Sequence, residues 1–372
     1  MASMLFNIRF LLLLSLPVLI TGCAFQVSPG ASPSTQTRIE TKVETKIERA
    51  KTSDTLETSE QVEPKTSSRV ESMVERSGEP EKASPTPTLR LKTPRFAHAS
   101  ATDGKHIYVF AGYGKQGYLS DVEIIDPNTG KVTVLKNSVL PRGYFSAVFD
   151  GQHSIYLLGG VSHQQDKVRV EQRIEVFDTL THEIRTLGNI PEPLRDNKAV
   201  YLDGYLYVLG GTSYQAQNGY QLIPSASVWR YHIKQREWQK MANMPSAKST
   251  AVVTDNQDIY VVGGEQNTDS LASVEQYKVA SNTWQNIPAL PHPVSAHSAA
   301  WLHNALWVFC NEDETNNSYF LKRDTARWRV APFNYQSALY TSTTSIGNSL
   351  YVIGGNGGKG KSFMGDIQVF TP

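Results

Sequence analysis

Four cations recur along the chain after residue 89 at nearly constant intervals: Arg95, Arg142, Arg195 and Lys248. Aromatic or hydrogen-bonding side chains stand close by or at comparable places further on, among them Phe96, Tyr144, Asn197, His297 and Tyr340. Guanidinium and ammonium groups that converge beside flat rings bind carboxylates, because the charge supplies attraction and the planar donors fix geometry. The set therefore reads as a basic, aromatic-lined funnel for an acidic ligand. The same residue types also occur where a loop cation is solvated or paired with a neighbouring acid, so position in the fold must decide.

Other chemistry leaves little trace. No Ser/His/Asp or Cys/His arrangement appears, and no glycine-rich loop stands between a strand and a helix to cradle phosphate. His98 and His297 occupy similar places, but their spacing matches no metal-ligand motif, so they read as packed or solvated and neither metal nor cofactor is expected. A formal net charge of +1 carries no electrostatic footprint for a phosphate backbone, which excludes nucleic acid as an expected partner. Of the two cysteines, Cys23 and Cys310, the second reads as a small buried thiol.

The amino terminus accounts for the first cysteine. Arg9 precedes an apolar run from Phe10 to Leu19, the length of a signal-peptide core and too short to span a bilayer of roughly 30 Å. Ile20-Thr21-Gly22-Cys23 then resembles the lipobox of bacterial lipoproteins, which implies cleavage after residue 22 and acylation of Cys23. Several acyl chains give stable membrane attachment, and Ala24 after the cysteine is similar to lipoproteins sorted to the outer membrane. Localisation in the cell envelope, lipid-anchored, is the resulting expectation. Residues 23–88 are mostly Ser, Thr, Pro, Glu and Lys and cannot bury enough apolar surface to offset ordering, so a disordered tether is expected.

From residue 89 the chain is dominated by repeats. An aromatic-rich strand running into a glycine pair appears as Ile107-Tyr-Val-Phe-Ala-Gly112, Ile155-Tyr-Leu-Leu-Gly159-Gly160, Leu206-Tyr-Val-Leu-Gly210-Gly211, Ile259-Tyr-Val-Val-Gly263-Gly264, Leu306-Trp-Val-Phe-Cys-Asn311 and Leu350-Tyr-Val-Ile-Gly354-Gly355. A second strand word follows each, as in Val122-Glu-Ile-Ile-Asp and Ile174-Glu-Val-Phe-Asp, with Trp238, Trp284 and Trp328 ten residues after its first letter in later copies. Glycine pair, tyrosine and downstream tryptophan together resemble kelch repeats, over residues 89–372. The resemblance implies an all-β, six-bladed kelch-like β-propeller in which these glycines and tryptophans are structural.

The sixth repeat ends at Pro372 without its last strand. Residues 86–93 lie where other repeats carry the last strand of the preceding blade, so they are expected to pair into the final blade and close the ring.

Kelch-like domains most often bind proteins, so the expected role is a protein- or glycan-binding scaffold, with an envelope protein or acidic glycan on the loop face. The alternative is a sugar mutarotase or epimerase similar to the kelch-like sialic acid mutarotase. The candidate ligand-binding residues are Arg95, Arg142, Tyr144, Arg195, Asn197, Lys248, His297 and Tyr340; no catalytic residue is assigned.

Overall fold

The computed structural model describes residues 88–372, except 165–166, 216–220, 311–317 and 359–362. The signal segment 1–22, Cys23, the tether up to residue 87 and an acidic run of the fifth repeat, Glu312-Asp313-Glu314, lie outside the described residues. Among those described, every regular element is a β-strand.

Six sheets follow one another along the chain. Sheet one comprises Ala99–Thr102, Ile107–Phe110, Val122–Ile125 and Val132–Leu135, each strand antiparallel to the next. Sheets two to five repeat this order, beginning at Ser146–Phe149, Lys198–Leu202, Ser249–Thr254 and Ser298–Leu302. Sheet six has three strands, Ser342–Ile346, Ser349–Asn356 and Phe363–Phe370. The first strand of each sheet lies against the first strand of the next, and that of sheet six lies against that of sheet one.

The pattern of side chains follows from this stacking. The second strand of a sheet is covered on both faces, so it is a continuous apolar run: all of Ile107–Phe110 and Ile155–Leu158 is buried. Each interface between neighbouring sheets carries its own apolar cluster. Tyr108, Phe110, Leu157 and Phe177 join sheets one and two, and Val262, Val274, Val308 and Tyr319 join sheets four and five. Of the repeat tryptophans Trp238, Trp284 and Trp328, the first two sit on outer strands against a tyrosine of the adjacent strand, Trp238 on Tyr231 and Trp284 on Tyr277. Two of them also tie neighbouring repeats, since Trp284 Nε1 donates to the Ala242 carbonyl and Trp328 Nε1 to that of Pro288.

Residues 89–91 complete sheet six. The Leu91 amide donates to the Gly365 carbonyl and the Ile367 amide to that of Leu89, with Arg90 opposite Asp366. Leu89 and Leu91 are buried in a cluster with Ile107, Val109, Ile353 and Ile367, contributed by sheets one and six. The pairing is one short bridge.

Candidate functional site

The glycine pairs lie at the end of each sheet where the connection to the following sheet arrives. The second glycine amide donates to the carbonyl of a residue leading into the next sheet: Gly112 to Arg142, Gly160 to Leu194, Gly211 to Lys248, Gly264 to Val294 and Gly355 to Arg95. Side chains cannot fit at these crossings. A Cβ on Gly264, at φ +112°, would fall 2.0 Å from the Ser249 carbonyl oxygen, far inside van der Waals contact.

These bonds also define which lead-in residues are equivalent, and they correct the expected basic funnel. Arg95, Arg142 and Lys248 are equivalent, wholly buried, and paired within their own sheets. Arg95 meets Glu123 at 2.6 Å and Asp121 at 2.9 Å; Arg142 meets Glu175 and Lys248 meets Glu275, each at 2.7 Å. Burial draws Arg142 down to about 10 and lowers Lys248, while Glu175 and Glu275 act the other way. Each partner is the glutamate that stands second in the repeated word beginning Val122, Ile174 or Val274. Sheets three and five have Trp229 and Tyr319 at that place, and their equivalent lead-in residues are the apolar Leu194 and Val294. The three cations are struts between strands, not ligand groups. Asn197 is another, buried, with Nδ2 donating to the carbonyls of Leu158 and Leu194.

Arg195 stands one residue beyond the equivalent position, and that single step sends its side chain elsewhere. It packs over the Tyr144 ring at 4.3 Å and pairs with Asp196 at 3.0 Å. Burial works against its charge, but Asp196, Tyr144 and Tyr214 outweigh burial and raise its pKa. Arg195, Tyr144, Tyr340 and His297 line one cavity of about 850 Å³, counting its open mouth. These are the four sequence candidates that the structure brings together.

Around this mouth the rings form a connected, partly exposed surface. Phe96 lies 5.5 Å from Tyr113, 6.4 Å from Tyr144, 6.0 Å from Tyr340 and 5.4 Å from Phe363, and Tyr144 meets Tyr340 edge-on at 5.2 Å. Tyr144 and Tyr340 hold φ of +57° and +54°, a conformation bulky residues rarely adopt. Ala97, Asp196 and Ala296 share it at the same step of their lead-ins, so the architecture imposes it and two blades place tyrosine there. Hairpins rise beside the mouth, carrying Val168 and Leu222, respectively 40% and 42% exposed.

Below the mouth the cavity continues among the innermost strands. The residues at equivalent register near the start of these strands are Ala99, Ser146, Lys198, Ala251, Ser298 and Ser342, and all six line the inner part. Lys198 is the one long side chain in that ring. It makes no hydrogen bond or ion pair with any described residue; burial lowers its pKa and Asp196 only partly offsets this. Its charge is felt by His98 and His297, which burial pulls down to about 3 and about 4. His98 Nε2 shares a 2.8 Å hydrogen bond with Ser342 while its Nδ1 is buried without a hydrogen-bond partner, and at His297 the Val262 carbonyl partly offsets the effect of burial. Sequence reading missed Lys198, yet a signal existed: a cation stands where the other five repeats have Ala or Ser. Among the described residues no group of three His, Cys, Asp or Glu is placed to hold a metal ion.

Comparison with known proteins decides the family. Residues 76–264 match a family model described as the Attractin/LZTR1 β-propeller, and residues 247–291 match the kelch motif. The chain belongs to the kelch-repeat β-propeller family. Kelch-like protein 25 of Xenopus tropicalis is 25% identical over 222 residues, 56% of this chain and 36% of that protein. Kelch-like protein 33 of Homo sapiens is 34% identical over 125 residues, 33% and 23% of the two chains, and β-scruin of Limulus polyphemus 29% over 208 residues, 50% and 23%. The chain thus spans about a third or less of the length of these relatives. Among solved structures, one titled "Structure of YjhT" superposes with a TM-score of 0.63 at 15% identity, covering 76% of this chain and 99% of that one. This kelch propeller shares its fold with that structure.

Proposed function

We propose that this kelch protein is a tethered binding module of the bacterial envelope. Acylated Cys23 holds it to the outer membrane, residues 23–88 act as the tether, and the glycine-pair face of the propeller grips a partner protein. Kelch propellers typically bind proteins. The observation that carries the reading is the surface of Phe96, Tyr113, Tyr144, Tyr340 and Phe363 around Arg195. Aromatic rings and arginine left partly exposed in mutual contact, with Val168 and Leu222 beside them, have the composition of an interface core.

The test is in vivo crosslinking and purification of the acylated protein, beside a variant with Tyr144, Arg195 and Tyr340 all changed to alanine. A stoichiometric protein recovered with the parent and lost in the variant supports the reading. Equal recovery with both removes the mouth as the site. A Cys23→Ser chain should leave the membrane fraction; its retention there would contradict acyl anchoring.

A sugar isomerase is the second reading, supported by Glu265 and His297 lining one cavity as potential acid and base. Anomer exchange of acidic sugars, followed by proton NMR with and without the protein, tests it. No acceleration over the uncatalysed rate removes it.

A further inference from the structure

The end of the sheets away from the glycine pairs is uneven in charge. The turn and outer strand of sheet five, residues 322–330, hold four cations, Lys322, Arg323, Arg327 and Arg329, and one acid, Asp324. Arg323 is used within the fold, paired with Asp255 at 2.8 Å. Lys322, Arg327 and Arg329 are exposed, and their side chains make no ion pair with any described residue. The corresponding turns of sheets one and two, residues 126–131 and 178–183, hold three acids, Asp126, Asp178 and Glu183, and one lysine, Lys131.

Aromatic rings stand beside the free cations. Arg329 is opposite Phe320 across the sheet, and Phe320 is opposite Trp307, so the three share one face of sheet five, and Lys322, two residues beyond Phe320, shares it too. The rings continue toward sheet six: Phe320 stacks on Trp307 at 4.7 Å, Trp307 on Phe333 at 5.3 Å and Phe333 on Phe370 at 4.7 Å. Phe320, Phe333 and Phe370 are half-buried, and Val330 and Val369 at the same rim are 58% and 38% exposed. Charge on an edge strand discourages pairing with another chain, but it does not call for a ladder of half-buried rings.

The entry of the chain into the propeller indicates what covers this edge. Leu91 lies beside Gly365 and Leu89 beside Ile367, while Met364 lies opposite Gly355 of the glycine pair. The chain therefore enters sheet six from the end away from the glycine pairs, and Thr88 stands at the same end as Lys322 and Phe370, on the sheet next to sheet five. We infer that this edge of sheets five and six rests on the anionic headgroups of the bilayer that holds the acyl chains. This rests on the reading of Cys23 as acylated. Lys322, Arg327 and Arg329 meet lipid phosphates, since each cation near an anionic leaflet adds to the attraction. Val330 and the rings reach the boundary between headgroups and acyl chains, the depth that aromatic side chains favour. The glycine-pair face is then turned away from the lipid and open to a partner.

The test uses the full-length acylated chain in nanodiscs of phosphatidylcholine, with or without about one third phosphatidylglycerol. An environment-sensitive fluorophore is attached through Val330→Cys or, in a separate chain, Leu180→Cys. Emission from position 330 should shift to the blue on the anionic nanodiscs and not on the neutral ones, and revert at ~0.5 M salt, where the attraction is screened. Position 180, on the acidic turn of sheet two, should emit alike on both. Changing Lys322, Arg327 and Arg329 together to glutamine should abolish the shift and leave the unfolding midpoint unchanged, because the three side chains are exposed. A chain that stays with the nanodiscs but shows no shift at position 330 would overturn the inference and leave acyl anchoring standing. So would a shift that persists in the triple variant, or equal shifts at both positions. If the chain separates from every nanodisc and its Cys23 carries no acyl mass, the anchoring reading falls and the inference with it. A shift at position 330 produced by polyglutamate but by no nanodisc would make the partner an acidic protein and overturn the lipid assignment.

Discussion

Lys248 and Glu275 lie 2.7 Å apart with side chains 0% and 4% exposed, so neither can turn to water if the other is removed. Glu275→Ala should therefore destabilise the propeller by about 3 to 5 kcal/mol, read by denaturant unfolding. The double change Lys248→Met with Glu275→Leu should recover most of that loss. A single variant as stable as the parent would contradict the strut assignment. The two buried histidines give a pH signature. Their folded pKa values, about 3 for His98 and about 4 for His297, lie below the ordinary 6.5. Between pH 6.5 and 4 the unfolded chain therefore binds protons that the folded chain refuses. Stability is greatest above pH 6.5 and falls as pH drops, by roughly 2 kcal/mol per ring at pH 5. His297→Gln should flatten the slope between pH 7 and 5, and an unchanged slope would show that His297 does not cause it. Sequence alone found these cations and histidines but not their duties. The decisive clue was in the neighbouring words, where each buried cation has a glutamate in its own repeat and the uncharged lead-ins do not.

At the level of the strand, the short segment 89–91 carries more than its length implies. It supplies two buried leucines to a cluster shared by sheets six and one and the fourth strand position of a sheet that otherwise has three. Leu91→Ala should cost about 2 to 5 kcal/mol, and removal of residues 86–93 should lower the unfolding midpoint further; no change in either would contradict the pairing. Gly264→Ala places a Cβ on the Ser249 carbonyl at a positive φ and should cost roughly 3 kcal/mol, measurable in the same way. The strand words and glycine pairs were legible because one physical demand recurs in each: an apolar run covered on both faces, then a backbone crossing with no room for a side chain. The lead-ins were less legible. Their alignment depends on which carbonyl receives a glycine amide, and a shift of one residue separates a buried strut such as Arg142 from a cavity residue such as Arg195.

For the whole molecule, the sheets form a scaffold whose partly exposed aromatic surface lies at one end. Leu180, 79% exposed, lies in the turn of sheet two at the opposite end from its glycine pair, whereas Tyr113 stands at the glycine-pair end within the aromatic surface. These two positions allow the central claim to be tested in the native envelope. A photo-crosslinking amino acid would be placed at Tyr113 or at Leu180 in the full-length acylated chain. The account predicts one discrete protein adduct from position 113, abolished by Tyr144→Ala with Arg195→Ala, and none from position 180. An adduct from position 180 alone, or one from position 113 that persists in that double variant, would contradict it.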